Sequence, residues 1–129
     1  MFEIEIGRKT QNEFFIFQGQ KQHGDNVIIR IQDFIEKNYT DEILVEQLTR
    51  KFGIGRRTLE RKFKALTGNT DFEYIQRVRV EAAKQQLETN SKTTDEIIYE
   101  VGYIDADAFR NVFKKYAGMP PGDYANKFR

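Results

Sequence analysis

Cysteine is absent from the 129 residues, which removes disulfides and thiolate metal ligation from consideration. No stretch approaches the roughly 20 consecutive apolar residues that a membrane-spanning helix needs. The N-terminus lacks the basic-then-apolar pattern of a secretory signal, so a cytoplasmic location is expected. Histidine occurs once, as His23. It has no neighbours in the sequence that would complete a metal or acid–base site. No group of residues joins an activated nucleophile to a base, so no catalytic residue, metal or cofactor is expected and an enzymatic reading finds no support. Nor is there a net charge to speak of, since +1 overall gives no reason to expect a polyanionic partner.

The distribution of charge says more than its sum. Residues 1–49 carry 5 basic and 9 acidic side chains, residues 50–90 carry 10 and 5, and residues 91–129 carry 6 and 6. Only the middle of the chain is cationic, which points either to a phosphate-facing surface or to an ordinary solvated helix face. With 39% apolar and 32% charged residues the chain has the balance of a folded globular protein. Its length suits one ordinary domain or two small helical lobes sharing a helix.

Phe2, Ile4 and Ile6 alternate with Glu3 and Glu5, and Phe14 to Phe17 form a compact apolar run, so residues 1–26 read as a strand-like or irregular extension. Gly24, Asp25 and Asn26 then break the pattern. From Val27 the apolar residues recur every three or four positions, and the chain reads as all-α. The expected helices run from Val27 to Asn38, Leu44 to Lys51, Gly55 to Thr67, Asp71 to Thr89, Thr93 or Thr94 to Val101, and Asp105 to Ala117. Gly53, Gly102 and Gly118 serve as stops. The inward stripe of the fourth helix is Ile75, Val78, Ala82, Ala83 and Leu87. That of the last is Ala108, Phe109, Val112, Phe113 and Tyr116.

Sliding the chain along itself by fifty residues pairs Leu59 with Phe109, Phe63 with Phe113, Lys64 with Lys114, Gly68 with Gly118 and Tyr74 with Tyr124. Gly53 pairs with Gly102 at forty-nine, so the second turn is one residue longer. Each copy is a short helix, a glycine turn and a longer polar-faced helix, which describes a helix-turn-helix whose second helix enters a DNA major groove. The nineteen-residue helix between the copies spans about 28 Å at 1.5 Å per residue. That approaches the repeat of about 34 Å between successive major grooves, so one chain has the reach to read two half-sites. A helical adaptor binding an acidic protein partner is the alternative, separable by its indifference to DNA and salt.

At Leu59-Glu60-Arg61-Lys62-Phe63-Lys64 through Gly68, at Gly102-Tyr103 through Phe109, Phe113, Lys114, Gly118, Pro120 and Tyr124, and at Arg79, Ala83 and Leu87, the sequence resembles the AraC/XylS family of transcription regulators. The resemblance covers about residues 27–128. It implies two homeodomain-like helix-turn-helix lobes, 27–70 and 90–129, joined by a linker helix at 71–89. The exposed faces of the longer helices would then read DNA, through Arg56, Arg57, Glu60 and Arg61 and through Ala106, Asp107, Arg110 and Asn111. Arg57 and Arg61, four apart, suit bidentate contact with guanine. Arg56, Lys64 and Lys114 suit phosphate contact. Glu60 either accepts from cytosine N4 or orients Arg61. Asp107 either excludes bases or is simply solvated.

The family's usual arginine in the second reading helix is replaced by Asn111, with Arg110 just before it. Leu44 and Gly55 stand where the family often has a serine or threonine cap. The resemblance further implies promoter DNA and RNA polymerase as partners. Residues 1–26 look like the junction in members whose sensor is an amidotransferase-like (PfpI-type) domain. On that expectation any effector binds a preceding domain outside this chain.

Overall fold

A computed structural model describes residues 20–89 and 92–129. The strand-like features expected at Phe2 to Ile6 and Phe14 to Phe17 lie outside the described residues. Seven α-helices and no strand occur among those described: α1 (Asn26–Asn38), α2 (Val45–Phe52), α3 (Arg56–Thr67), α4 (Asp71–Thr89), α5 (Thr94–Glu100), α6 (Ala106–Ala117) and α7 (Pro121–Phe128). Six lie within a residue or so of their expected bounds, because capping chemistry marks the ends. Asp25 and Asp105 each accept a bond from the backbone N–H three residues on, at Ile28 and Ala108. Leu44 and Gly55, as the sequence implied, cap α2 and α3 with no side-chain bond.

The starts of α4 and α5 each carry a reciprocal cap, Thr70 with Glu73 and Thr93 with Glu96. Thr93 Oγ1 accepts from the Glu96 N–H, and the Glu96 carboxylate accepts from the Thr93 N–H, satisfying two orphan donors reciprocally. Thr93→Ala is expected to cost about 1 kcal/mol of stability, and Thr93→Ser to retain most of it, as measured by urea unfolding. Equal stability of both variants with the parent would remove the cap from the list of contributors.

The repeat is reproduced in three dimensions. Phe63 meets Tyr74 edge-on, with ring centroids 5.4 Å apart and planes at 82°, and Phe113 meets Tyr124 in the same way at 5.6 Å and 80°. Each tyrosine donates its hydroxyl to a glutamate, Tyr74 to Glu36 of α1 and Tyr124 to Glu88 of α4. Burial and then the facing carboxylate push both phenols well above their ordinary pKa. Gly68 and Gly118 end α3 and α6 with φ of 80° and 84°, each returning its N–H to a lysine carbonyl four residues back. The end of α4 thus does for the second lobe what α1 does for the first, and α7 takes the place that α4 takes in the first.

That double role explains the burial along α4. The expected stripe, Ile75, Val78, Ala82, Ala83 and Leu87, is buried, and so are Tyr74, one turn before Val78 on the same face, and Val80, which faces away from Val78. The helix packs against α1 and α3 on one side and α5, α6 and α7 on the other. Arg79 stitches the lobes together. Its guanidinium donates to the carbonyls of Tyr39 (2.8 Å) and Asp41 (2.9 Å) beyond α1 and lies over the Tyr103 ring of the second lobe at 5.3 Å. Gly102, with φ of 106°, lets the turn after α5 close onto this arginine, because a Cβ there would stand 2.7 Å from the Tyr39 carbonyl oxygen and 3.0 Å from Arg79 Nε.

Residues 20–25 are bonded into the first lobe. Lys21 Nζ reaches Asp33 and Glu36 at 2.8 Å each. The fully buried Gln32 donates to the Gln20 carbonyl and faces His23 Nε2, whose Nδ1 accepts from the Asp25 N–H. This chain of bonds accounts for His23 as a structural residue. Asp25 also pairs with Lys62 of α3 at 3.5 Å.

Candidate nucleic-acid interface

On α3 the sequence spaces Leu59 and Phe63 four apart, and both are fully buried. The helix is thereby fixed in rotation, with Arg56, Arg57, Glu60, Arg61 and Lys64 exposed. These five candidates differ in how far they are already committed. Arg56 Nε bonds Glu60 at 3.2 Å, and its guanidinium faces Glu46 of α2 at 3.8 Å. Lys64 donates to the Gly68 carbonyl at 3.2 Å and lies 3.8 Å from Glu73. Arg57 and Arg61 have no hydrogen bond or ion pair with any described residue. They project one helical turn apart from the same surface, with all five donors of each guanidinium available.

On α6 Phe109 and Phe113 are fully buried in the same register, and Asp107, Asn111 and Lys114 are exposed. Two expectations are corrected. Ala108, placed in the inward stripe, is exposed, whereas Ala106, expected on the outer face, is half-buried against the core. The stripe through Phe109 and Phe113 extends backward by three residues to Ala106, and Ala108 lies about 100° off it. Arg110 is also less available than its sequence position implied. Its guanidinium is held by Asp95 of α5 at 2.6 Å and by Asp107 at 3.1 Å. The outer face of α6 is therefore small and polar, presenting Ala108 and Asn111 between Asp107 and Lys114, where that of α3 is cationic.

Sequence reasoning did not identify Ala108 or the Asp95 partner of Arg110. The first follows from the phase of the buried stripe. The second joins two helices fifteen residues apart and leaves no local signal. Among the described residues no cluster of histidine, aspartate or glutamate could hold a metal ion, and no helix is long and apolar enough to cross a membrane.

The arrangement agrees with comparisons to known proteins. The signature of the helix-turn-helix domain family matches residues 48–127. A Streptomyces lividans protein described as an AraC-like transcription regulator is 40% identical over 80 residues, which are 62% of this chain and 26% of that one. The C-terminal domain of the two-component response regulator yesN from Fusobacterium nucleatum is 32% identical, with TM-score 0.71 over 78% of this chain and 99% of that domain. The DNA-binding domain of AdpA, solved with a target DNA, is 27% identical with TM-score 0.72 over 79% of this chain and 92% of that one. The chain spans 26% to 44% of the length of the first curated relatives it matches. On the matched signature and these relatives, the chain belongs to the AraC-type helix-turn-helix family.

Proposed function

We propose that this chain is the sequence-specific DNA-binding unit of a transcription regulator, with α3 and α6 entering successive major grooves of one duplex. The observation that carries this reading is the pair Arg57 and Arg61, exposed and uncommitted one turn apart on a helix whose opposite face is buried. Protein-internal pairing would leave little for a polyanion to gain, and these two cations are free of it among the described residues. Arg57 and Arg61 read base edges, Arg56, Lys64 and Lys114 hold phosphates, and Glu60 keeps Arg56 in place. On α6, Asn111 suits an adenine edge, and the Ala108 methyl suits the methyl group of thymine.

The AdpA domain bound to its target DNA supports the reading by analogy of fold and family. Residues 27–70 and 90–129 then act as two reading lobes on the α4 connector, with residues 1–26 the junction to a sensor domain that takes any effector. The unit works in the cytoplasm without enzymatic activity, and RNA polymerase is its partner at the promoter.

An electrophoretic shift series at 50 to 300 mM salt, on promoter and random duplexes, tests this. Affinity is expected to fall log-linearly with salt, with a slope of about 0.9 per phosphate contacted. The promoter fragment is expected to bind on the order of a thousandfold more tightly than random DNA. Retention that ignores both salt and duplex sequence would favour a protein-binding adaptor instead.

A further inference from the structure

Where the two lobes meet, the surface is not closed. A cleft of about 750 Å³ opens between the α1–α2 loop, the start of α3, the start of α4 and the turn after α5. This volume is that of a small-molecule site, and the four walls come from four separate elements, as in sites that enclose a ligand. Four of the large apolar side chains that the fold leaves in solvent converge on it: Leu44 (51% exposed), Phe72 (66%), Tyr99 (55%) and Ile104 (92%). Burying such groups is favourable in proportion to the apolar area covered, so the cleft attracts an apolar body.

The charges decide which kind. Four carboxylates line the cleft, those of Glu42, Glu46, Glu60 and Asp71, against two guanidiniums. Arg56 is shared between Glu46 and Glu60, and Arg79 donates to the Tyr39 and Asp41 carbonyls. Glu42 forms no ion pair with a described residue, and Asp71 feels Arg56 electrostatically without forming an ion pair with it. Burial and then the neighbouring Glu60 raise the Asp71 carboxyl above its ordinary pKa, the condition that a positive neighbour relieves. Phosphates are repelled by the same carboxylates, so the duplex itself is not the occupant. The exposed rings of Phe72 and Tyr99 are faces that favour a cation over an anion.

We infer that the inter-lobe cleft is a binding site for a small hydrophobic cation, its apolar body against Leu44, Phe72, Tyr99 and Ile104 and its charge toward Glu42 and Asp71. Such an occupant touches both lobes at once, on a wall that includes Arg56 and Glu60 of α3.

Tetraphenylphosphonium and tetraphenylborate, nearly identical in shape and opposite in charge, are suitable probes. Calorimetric titration of the full chain is expected to show one site for the phosphonium, at least tenfold tighter than for the borate, with amide shifts centred on residues 71–75 and 99–104. Replacing Phe72 and Ile104 together by serine should weaken the phosphonium at least tenfold, and their exposure means that the core is untouched. The pair Glu42→Gln and Asp71→Asn should shrink the preference for the cation, with folding of each variant checked by its amide spectrum. Equal affinity for the two ions, phosphonium binding unchanged in the serine variant, or shifts confined to other surfaces would each overturn the assignment.

Discussion

Gly102→Ala is expected to cost about 2–6 kcal/mol of folding stability, far more than an alanine at any other turn glycine. Two penalties coincide there. An L-residue at φ of 106° is strained by about 1–3 kcal/mol. A methyl driven to 2.7 Å from the Tyr39 carbonyl oxygen must also push back either the α1–α2 loop or Arg79, at about 1–3 kcal/mol for overpacking. Gly118, at φ of 84°, has nothing within 4 Å of the same methyl, so Gly118→Ala carries only the first penalty. Thermal unfolding of the two variants side by side separates strain from contact. Equal losses would mean that the turn yields freely and that the lobes are not held in register at this point. Because Arg79 spans Tyr39, Asp41 and Tyr103, the damage should also appear in duplex affinity, with contacts of the two lobes weakened together.

Arg61→Ala is expected to reduce binding to the target duplex by about 1–3 kcal/mol, roughly 5- to 150-fold, while leaving random duplex much less affected. The basis is geometric. Arg61 extends from a helix locked by Leu59 and Phe63, and no described carboxylate competes for its guanidinium. Lys64, tied to the Gly68 carbonyl and near Glu73, makes the contrasting case. Its replacement by alanine should weaken target and random DNA alike and lower the salt slope by about one. If the two variants lost equally on both duplexes, the division into base-reading and phosphate-holding side chains would have to be abandoned.

Six helices were legible because period and punctuation agree: apolar residues at three- and four-residue steps, closed by Gly53, Gly102 and Gly118 and, in the last two, opened by Thr93 or Thr94 and by Asp105. The seventh, α7, was not expected, since Pro120-Pro121-Gly122 reads locally as a breaker. Pro121 in fact occupies the first helical position, where its fixed φ helps and its missing N–H costs nothing. The signal was present in the repeat itself. Tyr124 pairs with Tyr74, which lies inside α4, so whatever follows Gly118 had to be helical as well. Val80 could not be found from one stripe, because a helix covered from two sides buries residues off any single face.

The reading surface was legible on α3, where two basic pairs stand against an apolar face, and only half legible on α6. There the phase of the first turn decides between Ala106 and Ala108, and a one-position error moves a side chain from solvent to core. The capture of Arg110 by Asp95 joins two helices of the second lobe, and the close approach of Gly102 to Tyr39 exists only once the lobes are docked.

The sharing of α4 bears on how the molecule comes apart. Neither lobe owns a complete interior: cutting the chain within this helix would leave Val80 and its neighbours facing water. The two heads are therefore expected to melt as a single cooperative unit, with one calorimetric transition. A variant that loosens one of them is felt at the other through lost order, even where no side chain between them has moved.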